Sequence, residues 1–201
     1  MEKPADVTHP IHALLQRRWS PRAFADRMVE PEQLQSLFEA ARWAPSSNNE
    51  QPWHFIVETK ADPSAHDRLV ACLKEGNRKW AFRAPVLILF VARLNFEDEG
   101  PPNRHAWHAT GMAALSLCLQ ATALGLVTHQ MAGFEIEKAR TDLGIPAGYE
   151  PVAMIAVGYP GDPASLPDYL RERELKPRER KAVTEFVSHG RWNGPPEWPT
   201  R

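Results

Sequence analysis

The stretch Ala44-Pro45-Ser46-Ser47-Asn48-Asn49-Glu50-Gln51-Pro52-Trp53 decides how this chain is read, because it joins a helix pattern to a strand pattern. Upstream, Pro31 suits the first turn of a helix, and Leu34, Leu37, Phe38 and Ala41 follow as an i, i+3, i+4, i+7 stripe. Pro45 ends that helix, since proline restricts the residue before it and donates no hydrogen bond to the preceding turn. Beyond Pro52, Phe55-Ile56-Val57 predicts a strand over 54–58. Two serines, two asparagines and a glutamine lie between, all uncharged and able to donate and accept. Taken alone, such a run is an ordinary turn.

It does not stand alone. Arg17-Arg18-Trp19-Ser20-Pro21-Arg22-Ala23-Phe24 precedes it. Together the two elements resemble the nitroreductase family of FMN-dependent NAD(P)H oxidoreductases, which carries Arg-x-Ser-x-Arg/Lys-x-Phe, a helix, and then Pro-Ser-Ser-x-Asn-x-Gln-Pro-Trp. The resemblance implies an α+β fold with a central, mostly antiparallel sheet flanked by helices. It also implies a C-terminal strand exchanged in a homodimer, with FMN bound at the subunit interface. Arg18, Trp19, Ser20 and Arg22 would then contact FMN from one chain. Pro45, Ser46, Ser47 and Asn49 would come from the other, and Gln51 belongs to the same cofactor-binding loop. Arg18 suits a phosphate by its fork of donors, and Ser20 by its rotatable hydroxyl. In the family, the position of Arg22 places a cation near flavin N1 and the C2 carbonyl, where it favours the reduced ring. A solvated Arg22 on a basic turn is the alternative.

Composition bounds the remaining classes. A chain of 201 residues fits one domain, read here as 1–201, with 1–9 flexible and 160–201 an extended C-terminal arm. A net charge of −1 leaves no basic footprint for nucleic acid and no polybasic membrane patch. Cys72 and Cys118 are too far apart to suggest a zinc site or a disulfide framework. The first residues lack an apolar signal region, so a cytoplasmic location is expected.

Along the chain, Ile11 to Arg17 predicts a short helix, and Asp62-Pro63 opens another reaching about Lys74. Asn77 follows; relatives have an Asn or Lys here that reaches the flavin, while a helix-capping role explains it equally well. Val86 to Val91 is apolar on both faces and predicts a central strand covered by helices. His105 to Gly125 is almost free of charge but carries Thr110, Ser116, Gln120 and Thr122, with no aromatic belts or basic flanks. It predicts a helix buried all round rather than a membrane span. The family has such a helix at the centre of its dimer. His105 and His108 stand one turn apart without a third ligand, so metal binding is not expected.

Gln130, Met131, Ala132 and Gly133 match the family loop whose backbone N–H points at flavin N5. Ala132 stands where some relatives have glutamate. Glu135 to Leu143 predicts a helix, and Val152 to Val157 a second apolar strand. From Pro160 to Pro177 no period is evident. Arg178 and Arg180 resemble the family's closing pair, which meets the FMN phosphate. Val183 to Val187 would be the exchanged edge strand.

No G-x-G-x-x-G, G-x-S-x-G or P-loop occurs. That accords with a flavin carrying the chemistry, so no catalytic side chain is assigned beyond tuning by Arg22 and the backbone of Ala132 and Gly133. The resemblance implies ping-pong transfer of hydride from NADH or NADPH through N5 to a small acceptor, such as a nitroaromatic, a quinone or free flavin. The alternatives are a protein that sequesters FMN without turnover and a specialised relative, such as a reductive dehalogenase or a flavin-cleaving enzyme.

Overall fold

The computed structural model describes residues 2–97 and 99–196. Its centre is a four-stranded antiparallel sheet in the order β1-β2-β4-β3, built from β1 (Trp53–Thr59), β2 (Val86–Arg93), β3 (Val127–Met131) and β4 (Tyr149–Gly158). β2 pairs with β1 through Trp53↔Ala92 to Thr59↔Val86, and with β4 from Val86↔Val157 onward, with a bulge at Phe90/Val91. Every residue of β2 up to Ala92 is buried. Its apolar run on both faces therefore has the predicted cause, a central strand between two helical layers.

The alternation along β2 sorts the core. Val86, Ile88 and Phe90 point to a layer with Leu37 and Ala41 of α2 (Pro31–Arg42) and Ala113 and Leu117 of α5 (Ala106–Ala123). Leu87, Leu89 and Val91 face α3 (Pro63–Cys72), α4 (Glu75–Ala81) and α6 (Ile136–Asp142), through Leu69, Trp80 and Ala139. Each large side chain so buried contributes about 1.5–3 kcal/mol, which is why pattern outweighs local propensity here.

α2 starts at Pro31, where Gln33 Oε1 accepts from Glu30 N (3.3 Å), and ends before Pro45, as expected. The short helix near the start is α1 (Ala13–Arg17).

Four expectations need correction. α5 is not buried all round: Ala106, Ala109, Ala113, Leu117 and Ala121 are buried, but Trp107, Gly111 and Leu115 face outward. A single chain covers only one side of a helix that lacks charge on both. Residues 160–177, which show no period in the sequence, hold α7 (Asp168–Leu175). Its inward face is Leu170 and Glu174, one apolar residue and one acid, which leaves no hydrophobic period to detect. Val183–Glu185 forms a 3-10 turn instead of the expected strand. Ala182 N donates to Glu185 Oε1 (2.8 Å) there, because a strand needs a ladder partner that the single chain does not offer. Finally, residues 2–9 include tethered backbone: Ala5 N donates to Gln16 O (2.8 Å) and Arg178 Nη1 donates to Lys3 O (2.7 Å). No helix among the described residues is long and apolar enough to cross a membrane.

Candidate active site

The segments after α1 and α7 meet at a cleft of about 190 Å³ lined by Arg18, Trp19, Ser20, Arg22, Arg178 and Arg180. The loop after α1 supplies the first four, and the segment after α7 the last two. Arg18 Nη1 donates to Ser20 Oγ (3.3 Å), which joins the two groups proposed for a phosphate. Arg178 Nη1 donates to Lys3 O and to Gln16 O (2.9 Å), fixing the arm against α1. Burial, then the neighbouring charges of Arg18 and Arg180, hold the Arg178 guanidinium below its ordinary value. Such crowding of cations suits an anion. Lys3 lines the cleft as well, 5.0 Å above the Trp19 ring, and sequence reading missed it because a lone lysine near a chain start signals nothing.

The turn that carries Arg18 to Arg22 is held from beneath by two groups not singled out in the sequence. Glu174 of α7 is 1% exposed; its Oε1 accepts from Arg22 N (2.8 Å) and Ala23 N (3.1 Å). Its Oε2 accepts from Arg22 N (3.0 Å) and lies 3.8 Å from Arg22 Nη1. Arg22 is thus close to a buried acid while its own side chain stays 26% exposed. His129 of β3 donates from Nδ1 to Pro21 O (2.9 Å), a tautomer that the carbonyl acceptor requires, and packs 4.6 Å from the Trp80 ring. Burial, aided by the nearby Arg22 and Arg18, pushes its pKa down to about 4, so the ring is neutral at pH 7.

Asn77 lies inside α4, whose N-cap is Lys74, so it is no helix cap. Its Nδ2 donates to Gly133 O (3.0 Å), which ties α4 to the loop after β3. A Cβ on Gly133 would stand 2.7 Å from Asn77 Nδ2, closer than atoms tolerate. Gly133→Ala is accordingly expected to break this hydrogen bond and to lower flavin affinity at least tenfold, at about 1.5 kcal/mol. A titration that finds unchanged affinity would take the loop out of the site. Met131 points into the core, 3% exposed, leaving only its backbone for a ligand, while Gln130 Nε2 reaches Cys118 Sγ at 3.5 Å and Ala132 is exposed.

The Pro-Ser-Ser element lies elsewhere. Pro45, Ser46 and Ser47 line a cavity of about 320 Å³ with His105, His108 and Met112, and it shares no residue with the cationic cleft. Asn48, Asn49 and Gln51 adopt φ of 54°, 57° and 51°, a left-handed conformation that non-glycine residues seldom take. The loop is over-determined: Ser46 Oγ accepts from Gln51 N (2.9 Å), Gln51 Nε2 donates to Asn49 O (2.9 Å), and Glu50 pairs with Arg93 of β2. Strain held this firmly is what functional loops display. Among the described residues, no three His, Cys, Asp or Glu side chains gather as metal ligands.

Comparison with known proteins follows the same lines. A family model described as "Nitroreductase family" matches residues 15–159. A protein of Mycolicibacterium smegmatis, known only as an uncharacterized 15.4 kDa protein, is 38% identical over 130 residues, covering 63% of this chain and 84% of its own. A protein of Xanthomonas oryzae pv. oryzae with the provisional name NADH dehydrogenase/NAD(P)H nitroreductase is 32% identical, covering 72% and 81%. A solved structure described as an oxidoreductase containing FMN is 36% identical, with a TM-score of 0.89 over 94% of this chain and 96% of its own. The signature residues, the sheet order and these likenesses agree: the chain belongs to the nitroreductase family.

Proposed function

We propose that this chain is an FMN-dependent NAD(P)H oxidoreductase that works by ping-pong transfer to a small electron acceptor. The observation that carries the reading is the cleft where Arg18, Ser20, Arg178 and Arg180 converge, in a chain of this family. Its donor set fits a phosphate monoester: forked guanidinium groups and a hydroxyl, in a partly enclosed space.

Bound FMN would supply the redox chemistry, taking hydride from NADH or NADPH for delivery to the second substrate. The chain binds and orients. Arg18, Arg178 and Arg180 hold the phosphate, with Ser20 and the backbone of Trp19 beside it. Asn77 holds the Gly133 carbonyl and so anchors the loop whose Ala132 and Gly133 backbone would face the ring. Arg22 presents a cation whose field Glu174 partly offsets. Nitroaromatics, quinones and free flavin are the acceptor classes this chemistry suits.

The working unit is a homodimer. The outward face of α5, with Trp107 and Leu115 each nearly half exposed, lacks the charge that a solvent-facing helix carries. A second copy covers it and brings Pro45, Ser46, Ser47, Asn49 and Gln51 to the first chain's cleft, which accounts for their distance from it here.

The test is direct. Purified protein is expected to be yellow, to release FMN rather than FAD, and to have the mass of a dimer in solution. NADH or NADPH under anaerobic conditions should bleach the colour, and a quinone or air should restore it. FMN bound without bleaching would make this an FMN-sequestering protein, and a monomer without flavin uptake would overturn the whole reading.

A further inference from the structure

The cationic cleft contains one acid. Arg18, Arg22, Arg173, Lys176, Arg178 and Arg180 line it, together with Lys3, and among the described lining residues Glu174 alone is anionic. An exposed glutamate in such company would be a trivial surface pair. This one is 1% exposed and spends both oxygens on the turn that carries the cleft, through Arg22 N, Ala23 N and the Arg22 guanidinium. Burying a carboxylate is costly unless hydrogen bonds and a counter-charge compensate it, and here both do. The cations gain equally. Without an anion they repel one another; Arg178 is lowered first by burial and then by the charges of Arg18 and Arg180.

We propose that Glu174 is the internal counter-anion of the cleft, holding the Arg18–Ala23 turn in shape before ligand enters and setting the affinity for the incoming phosphate. This rests on the reading that the cleft takes the FMN phosphate. Glu174 then has two separable functions. Its Oε1 pins two backbone N–H groups, a service that any correctly placed carbonyl oxygen provides. Its negative charge offsets the cations in the empty site and opposes the phosphate in the filled one.

Glu174→Gln separates the two: its amide oxygen can still accept from Arg22 N and Ala23 N, while the charge and the second contact to Arg22 are gone. The variant apoprotein should melt at a lower temperature than the wild type, since its cations lose their offset. FMN should then bind more tightly relative to riboflavin, which has the same ring without the phosphate. The FMN-over-riboflavin affinity ratio is expected to rise about tenfold, the size of one charged interaction. Glu174→Asp keeps the charge but not the reach, so it should weaken both ligands and leave the ratio unchanged. A role limited to shape predicts equal losses for both ligands in both variants.

The measurement is titration of the three apoproteins with FMN and riboflavin, with Tm recorded alone and at saturation. A ratio that fails to rise in Glu174→Gln, or that rises as much in Glu174→Asp, overturns the proposal. If Glu174→Gln does not fold without flavin, recovery by FMN but not by riboflavin supports it, and failure to recover with either overturns it. Should wild-type protein bind neither flavin, the FMN reading falls separately. Inorganic phosphate then serves as the probe: a larger rise in Tm for Glu174→Gln than for wild type supports the counter-anion, and an equal or smaller rise overturns it.

Discussion

Arg18→Ala is expected to weaken FMN binding about ten- to a hundredfold, the loss of one charged hydrogen bond of about 1.5–3 kcal/mol, while riboflavin binding changes little. Arg18 suits this experiment better than the other cations of the cleft. Its guanidinium donates to Ser20 Oγ at 3.3 Å, a long contact whose loss costs the fold little. Arg178, by contrast, holds the Lys3 and Gln16 carbonyls, so Arg178→Ala also releases the N-terminal segment and lowers stability. Among the described residues Arg180 donates only to the neighbouring Glu179 carbonyl, at 2.7 Å, and should behave like Arg18. Titration of apoprotein with both flavins reads the result. Equal losses for FMN and riboflavin in Arg18→Ala would place the phosphate elsewhere.

The sequence was legible where one residue type has one physical use. β2 reads as a central strand because seven consecutive buried residues leave no polar face. The stripe of α2 and the stop at Pro45 read correctly for the same kind of reason. The Arg18 to Arg22 turn was legible only because a second element followed it in family order, since its own composition fits any basic surface. α5 announced that it needs covering but not by what. Its 18 residues lack charge, yet only one side meets this chain.

The remainder was hidden by distance and by disguise. Asn77 and Gly133 are 56 positions apart, and neither residue type names the other as partner. Glu174 sits in Asp-Tyr-Leu-Arg-Glu-Arg-Glu-Leu, where alternating charge advertises a solvated helix, although this acid is nearly inaccessible. The supports of the candidate site were thus less visible than the residues proposed to bind in it. Ligating residues follow a pattern, whereas supports need only reach the right backbone atom.

His129 is such a support, and it makes stability depend on pH. The ring is neutral in the folded protein because burial, with Arg22 and Arg18 adding to it, lowers its pKa to about 4. In the unfolded chain it titrates near 6.5. Between these values the unfolded state binds a proton that the folded state excludes, so stability is complete above about pH 6.5 and declines as pH falls toward 4. The full decline attributable to this residue is about 3 kcal/mol, a large part of a typical domain's stability. His66, buried with Nε2 2.9 Å from the Ala84 carbonyl and also lowered by burial, acts in the same direction. Acidic side chains add their own acid sensitivity, so the wild-type curve alone does not isolate His129. His129→Asn does: the asparagine Nδ2 occupies the place of imidazole Nδ1, can still donate to Pro21 O, and does not titrate. Urea unfolding of apoprotein at intervals from pH 7 to pH 4 should show the variant losing about 3 kcal/mol less than wild type over that range, with every other titrating group cancelling in the difference. Parallel unfolding curves for the two proteins would mean that His129 is already accommodated as a cation in the fold.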